Sequence, residues 1–354
     1  MLRRGAAAGP VRKRVGTIGP LRPRALESRM LSEFDLIKQY FRRARRGYPG
    51  HVVLGIGDDC ALLAPTPGMQ TAISTDLLVE GRHFFAGADP RMLGHKCLAV
   101  NLSDLAAMGA RPVGFTLALS LPGADPEWLE AFSNGLFALA DLHDCELVGG
   151  DTTRGPLAIC ITVFGEIAPG HALRRDAARA GHDIWISGTL GDARLALAGY
   201  WKELPLDREA HALAATRMHM PTPRVALGRA LAALPVGHAA LDISDGLVGD
   251  LGHILDASKV GATLDVDALP AGPALAQQAL LLRRRFTLAG GDDYELCFTA
   301  PKAQREAVIA TAASARTPVT RVGTIDAEPG LRLVDAAGHA LEMDVKGWDH
   351  FDEE

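Results

Sequence analysis

The chain has few features that would place it outside the ordinary globular proteins. It holds five cysteines, Cys60, Cys97, Cys145, Cys160 and Cys297, and no two form a C-x-x-C pair. An odd count without pairing motifs argues against a disulfide scaffold and for reduced thiols in a cytoplasmic protein. No apolar run reaches the roughly 18 residues that a membrane span needs. The net charge of −5 with a pI near 6.2 argues against nucleic acid as a partner. The usual phosphate motifs are also missing. There is no G-x-x-x-x-G-K-[ST] loop, no kinase-type catalytic loop, and "GIGDDC" lacks the third glycine of a dinucleotide fingerprint.

At 354 residues the chain is long enough for two domains, and 48% hydrophobic content supports a sizeable core. Residues 1–29 stand apart, with eight Lys and Arg against the single acid Glu27. They have no apolar stretch of the secretory kind. They read as a disordered basic extension, or as translation from an upstream start with Met30 as the working one; an Arg-rich transit peptide is the alternative.

Periodicity and punctuation give a mixed α/β order. "LSEFDLIKQYFRRA" (31–44) is an opening helix, with Phe34, Ile37 and Phe41 at helical spacing. "HVVLGIGDDCALLA" and "QTAISTDLLVEG" read as strands. Asp89-Pro90 opens a helix that Gly109 closes. "PVGFTLALSLP", "CELVGGDTT" and "LAICITVFGEIA" are strands around an amphipathic helix at 125–144. A charged, mobile-looking stretch at 174–183 then separates this half from a second α/β half. We expect an N-terminal domain over 30–170 and a C-terminal α/β domain over 176–354.

What is present in unusual number is Asp at the end of apolar runs, beside Gly, Ser or Thr. The cases are "GIGDDCA", "AISTDLL", "NLSDLAAMGA", "LVGGDTTRG", "LDISDGLVGD" and "AGGDDYEL". Any one of these is most simply a helix cap or an Asx-turn. Six together, two of them doubled, are harder to assign to capping alone. Two carboxylates 4 Å apart repel by about 4 kcal/mol at an effective dielectric of 20. A fold with about 5–15 kcal/mol of stability holds few such pairs uncompensated. Hard oxygen donors without a His or Cys cluster suit Mg²⁺, which typically completes its shell with substrate phosphates. The sequence therefore points to Mg²⁺-nucleotide chemistry on a site that is not a P-loop.

Seven segments in order, "GIGDDCALL", "ISTDLLVEGRHF", "AVNLSDLAAMGA", "LVGGDTTRGP", "DISDGLVGDLGHI", "GGDDYELCFT" and "KGWDHF", resemble the thiamine-monophosphate kinase family over about residues 30–351. That family shares a superfamily with aminoimidazole ribonucleotide synthetase, selenophosphate synthetase and the hydrogenase-maturation dehydratases. The resemblance implies a two-domain synthetase-like α/β fold of the α+β type, whose N-terminal mixed sheets pair in a homodimer. It implies transfer of the ATP γ-phosphoryl group to thiamine monophosphate, with several Mg²⁺ ions. The metal ligands it implies are Asp59, Thr75, Asp76, Asp104, Asp151, Asp242 and Asp245. The ATP contacts are Ser74, Gly150, Asp151, Arg175 and Ser244, with Arg174 a neighbouring candidate. The substrate contacts are His83, Asp292 and Trp348. Outside the resemblance, His83 reads equally as a surface histidine and Trp348 as a tail anchor.

The family often carries Glu where this chain has Asp292. Another ATP-dependent enzyme of the superfamily, or a non-enzymatic Mg²⁺-nucleotide sensor, are the alternative readings. Against the former, no reactive Cys precedes Cys60, and the chain ends "HFDEE" rather than in Cys.

Overall fold

A computed structural model describes residues 32–43, 51–235 and 238–345 of the chain. The opening helix is confirmed in short form. α1 (Glu33–Leu36) runs into a π-helical turn over Ile37–Phe41, and Leu36 and Phe41 are buried. The next segment departs from expectation. Its strands are only β1 (Val52–Leu54) and β2 (Leu62–Leu63), a two-stranded antiparallel ribbon. Val53 and Leu62 are more than half exposed, and Asp58 and Asp59 are exposed as well. The doubled acids lie in the loop between the two strands, so their hydration costs nothing. The Asp59 N–H donates to the Asp58 carboxylate at 2.9 Å.

β3 (Gln70–Val79), α2 (Pro90–Met108), β4 (Arg111–Leu121), α3 (Pro126–Leu142), β5 (Glu146–Arg154) and β6 (Ala158–Ile167) build the first domain. The sheet order is β3-β6-β4-β5. Only the β4–β5 pair is parallel, as the α3 crossover between them requires. Capping is as the sequence predicts. The Asp89 side chain accepts from the Met92 N–H, Pro90 sits at the first turn, and Gly109 closes α2 at φ 73°. α2 and α3 cross so closely that a Cβ at Gly135 would lie 1.8 Å from the Arg91 carbonyl.

The stretch expected to be mobile is ordered. Arg175–Ala177 is a 3₁₀ turn. From it continue β7 (His182–Ser187), α4 (Asp192–Tyr200), α5 (Arg208–His219), α6 (Val225–Ala232), β8 (Ala240–Asp242), α7 (Leu247–Ser258), β9 (Gly261–Asp265), α8 (Leu280–Ala289), β10 (Leu296–Pro301), α9 (Arg305–Ser314), β11 (Val319–Asp326) and β12 (Gly330–Val334). The Ser258 hydroxyl, on α7, accepts from the Ala178 N–H and donates to the Arg175 carbonyl at 2.7 Å, which ties the turn down. The second sheet runs β12-β9-β11-β7-β10-β8, antiparallel apart from β9–β12.

The two-domain mixed α/β fold has one shared element. α2 is buried over most of its length and on most of its faces, polar Lys96, Asn101 and Ser103 included. It lies on the first sheet, against α3, and against α6, where a Cβ at Gly228 would meet the Ala106 carbonyl at 1.9 Å. One hydrophobic cluster accordingly runs from Phe115, Phe132 and Leu98 through Leu227 to Trp185 and Phe298 in the second sheet. Among the described residues no helix is long and apolar enough to cross a membrane.

Candidate active site

The acids converge where α2 passes between the two sheets. Strand alternation turns Ser74 and Asp76 of β3 toward α2. The Ser74 hydroxyl donates to the Asp104 carboxylate at 2.5 Å. The Asp76 N–H donates to the Asn101 side chain at 3.2 Å. From the other side, β8 ends at the buried Asp242. The turn into α7 then presents Ser244 and Asp245, and Gly246, at φ 111°, releases the chain into the helix. Asp250, one turn into α7, accepts from the Ser244 and Asp245 N–H groups at 3.1 Å each. It is a buried turn organiser. The sequence shows it only as one more acid in "SDGLVGD".

Electrostatics join these residues into a line. Burial, then Asp104, push Asp76 up to about 7. Burial raises Asp104 above the usual carboxylate range, opposed by the Ser74 hydrogen bond and by the Arg175 charge. Burial, then Asp104, push Asp242 up to about 8, with Asp250 adding and the Ser103 hydroxyl opposing. Burial, then Asp245, push Asp250 up to about 7. Carboxylates from β3, α2, β8 and α7 thus repel one another across the domain boundary.

This donor set fits a hard divalent cation. It consists of carboxylate and hydroxyl oxygens, and its repulsion is what such a cation offsets. Among the described residues no three His, Cys, Asp or Glu side chains gather closely enough to cage a metal by themselves.

Other expected residues sit elsewhere. Thr75 faces away from Asp104, and its hydroxyl meets that of Thr162 at 2.9 Å. Asp151 is paired in register with Ala118 of β4, on that same outer face of the sheet. It lies three strands from Thr75, roughly 14 Å away. Gly150 has φ 153°, and a Cβ there would lie 1.9 Å from the Leu117 carbonyl, so no side chain fits. Asp59 is in the exposed β1–β2 loop. Of the two neighbouring arginines, Arg174 is held by Asp176 at 2.6 Å, whereas Arg175 exerts its charge on Asp104.

On the other flank, "GGDDYEL" separates into distinct jobs. Asp292, at φ 70°, accepts from the Lys96 ammonium of α2 at 2.5 Å. Both oxygens of buried Asp293 accept from the Gly191 N–H at 2.9 Å. Fully buried Glu295 accepts from Arg217, Arg224 and Ser187. Thus Asp293 and Glu295 hold the fold, and Asp292 pairs with α2 through Lys96. The half-buried His83 accepts from the Val79 N–H at its Nδ1, at 3.0 Å. Trp348 falls outside the described residues. A cavity of about 400 Å³ between Phe41, Phe137 and Cys145 lies at the far edge of the first domain, lined by none of the acids named for the site.

Comparison with known proteins bears on this geometry. A family model described as AIR synthase related protein, N-terminal domain, matches residues 57–167, and the corresponding C-terminal domain model matches residues 179–336. A protein of Salmonella typhimurium named thiamine-monophosphate kinase is 47% identical over 326 residues, 90% of this chain and 98% of that protein. The crystal structure of thiamine-monophosphate kinase from Stenotrophomonas maltophilia K279a is 47% identical and superposes with a TM-score of 0.76, covering 83% of this chain and 93% of the other. A structure described as AaThiL complexed with AMPPCP and TMP is 28% identical with a TM-score of 0.70, covering 81% and 89%.

Proposed function

We infer what this chain does from the family it belongs to, the thiamine-monophosphate kinases: it transfers the γ-phosphoryl group of ATP to thiamine monophosphate, giving thiamine diphosphate and ADP. The observation that carries this reading is the line of mutually repelling carboxylates, Asp76, Asp104 and Asp242, gathered from three elements of a chain that matches the family along nine-tenths of its length. A nucleotide and a phosphate acceptor bound in a related protein support the choice of substrates.

The reaction places modest demands on side chains. A phosphate monoester has a second pKa of about 6, so its attacking oxygen is already anionic at pH 7. No general base is needed. That oxygen forms a bond to the γ-phosphorus as the bond to the β–γ bridging oxygen breaks, and ADP leaves with the electron pair. The obstacle is repulsion between two anions, and catalysis is positioning plus electrostatics. Asp76, Asp104, Asp242 and Asp245 would hold Mg²⁺, which when bound neutralises phosphate charge and fixes the oxygens in line. Ser74 orients Asp104, Asp250 sets the turn that carries Ser244 and Asp245, and Arg175 is the cation best placed for the nucleotide phosphates.

Thr75, Asp151 and Asp59 lie away from this line; a homodimer would account for Thr75 and Asp151, which share the outer face of the first sheet. The outer face of β3 exposes Ile73 and Leu77 at 63% and 53%, an apolar face beside Thr75. Pairing of this sheet with a second copy would cover those side chains and bring Thr75 and Asp151 into a shared site. Five free cysteines fit a cytoplasmic location.

The test is direct. The purified chain with ATP, Mg²⁺ and thiamine monophosphate should release ADP in step with thiamine diphosphate, both resolved by chromatography. A nucleotide sensor on this fold predicts ATP binding with no acceptor-dependent ADP, and that result would remove the reading. Light scattering should give a dimer mass, lowered by Ile73→Asp.

A further inference from the structure

Lys96 is the one buried cation that α2 carries toward the second domain. Its side chain is 5% exposed, and its ammonium meets the 33% exposed Asp292 carboxylate at 2.5 Å. No other hydrogen bond or ion pair of Lys96 is formed within the described residues, so Asp292 alone compensates it. The loop on which Asp292 sits is fixed from behind. The Asp292 N–H donates to the Ser244 carbonyl at 2.7 Å, and the Tyr294 N–H to the Ile243 carbonyl at 2.8 Å. Asp292 and Tyr294 both take positive φ, 70° and 51°, a conformation that persists where the surroundings impose it. The same loop therefore touches α2 through Lys96 and the Ser244–Asp245 turn through its backbone.

The charge balance around the pair is uneven. Tyr294, beside Asp292, feels the negative charge of Asp292, Asp76 and Asp242. The Asp292 carboxylate thus stands among other acidic groups, and Lys96 is the cation paired with it. On the proposed function, Asp292 is one of the groups that meet the acceptor, so a phosphate monoester approaches this carboxylate.

We propose that Lys96 is a positioning residue for the acceptor. It holds Asp292 at the domain boundary and cancels its charge, so that an anionic phosphate monoester is admitted beside a carboxylate that would otherwise repel it. This rests on the reading above that the acceptor is such a monoester. The α2 ammonium reaches Asp292 directly, and its location sets where the carboxylate stops.

Two roles give different results when both partners are changed. If Lys96 acts by cancelling charge, Lys96→Met leaves Asp292 bare, and the acceptor KM should rise by about tenfold or more, while the ATP KM moves by less than about twofold. Adding Asp292→Asn to Lys96→Met removes the bare charge, and the acceptor KM should fall back by about threefold or more from the single variant. Lys96→Arg, which keeps the charge, should retain most of the wild-type acceptor KM. If Lys96 is only a strut between domains, the double variant will be no better than Lys96→Met, and both Michaelis constants will rise with a falling melting temperature. Either of those outcomes overturns the proposal, as does an unchanged acceptor KM in Lys96→Met. Should Lys96→Met fail to fold, the comparison of Lys96→Gln with Lys96→Gln/Asp292→Asn reads the same difference. Absence of acceptor-dependent ADP release from the unaltered chain would instead remove the assigned function.

Discussion

Asp242→Asn should stabilise the metal-free protein while abolishing its activity, and the gain should grow with pH. Asp242 is buried and pushed up to about 8 by desolvation and by Asp104. Its pKa is 3.8 in an unfolded chain. A raised folded pKa means that the native state keeps a proton that the unfolded state has released. Stability is then fully present below about pH 4 and is lost as pH rises through the window up to about 8. Each pH unit inside that window costs at most about 1.4 kcal/mol for one group. From 3.8 to pH 7 the ceiling is about 4 kcal/mol. Sharing of the repulsion with Asp104, and the cost of burying the Asn amide, reduce the expected gain to about 2 kcal/mol. That corresponds to roughly 2–4 °C in melting temperature for a chain of 354 residues. At pH 5 the same arithmetic leaves under about 1 kcal/mol. The assay is a set of thermal melts of both proteins in EDTA at pH 5, 6, 7 and 8, with turnover measured in Mg²⁺. Saturating Mg²⁺ should stabilise the unaltered chain more than the variant, because the cation offsets the repulsion that Asn has already removed. A variant that melts lower than the unaltered chain by the same amount at every pH would refute the reasoning. It would show that the Asp242 carboxylate is satisfied by the fold itself.

Further outcomes follow from single positions. Gly135→Ala places a methyl 1.8 Å from the Arg91 carbonyl and should cost several degrees in melting temperature by forcing α2 and α3 apart. Glu295→Gln leaves Arg217 and Arg224 without their buried carboxylate and should destabilise by about 3–5 kcal/mol, read in a denaturant titration, before any effect on substrate binding. Arg175→Ala should raise the ATP KM by about tenfold, whereas Arg174→Ala, which loses only an exposed pair with Asp176, should leave it unchanged. Trp348→Ala should raise the acceptor KM by about tenfold with the ATP KM unmoved, since an aromatic face suits a cationic ring; loss of melting temperature alone would make it a tail anchor.

Much of the local structure was legible because its causes are local. Asp89-Pro90 and Gly109 set the ends of α2 through capping and a left-handed closure, which depend on neighbours in sequence. The strands at 70–79, 111–121, 146–154 and 158–167 follow from composition and punctuation. The sequence alone also pointed to the kind of chemistry, because three of its Asp-ending segments, those of Asp76, Asp104 and Asp242, do bring carboxylates together. It misread the "GIGDDCALL" segment, which it took for strand and which is largely the loop between β1 and β2. The ribbon β1–β2 lies at the edge of the fold, and hydrophobicity does not state which surface is available to cover it.

Tertiary structure alone decided which of the acids meet. Strand alternation sends Asp76 toward Asp104 and Thr75 to the opposite face, a consequence of pleat and register that a motif does not encode. The same holds for the tetrad of letters in "DDYE". Asp292 turns to Lys96, Asp293 to the Gly191 amide and Glu295 to two arginines, because each carboxylate is satisfied by whatever another element brings within 3 Å. Lys96 carries no motif and lies 196 residues from its partner, so only packing of α2 between the two domains could reveal it. Sequence specifies which groups must be compensated. The long-range contacts that bury α2 on most of its faces specify which group compensates which.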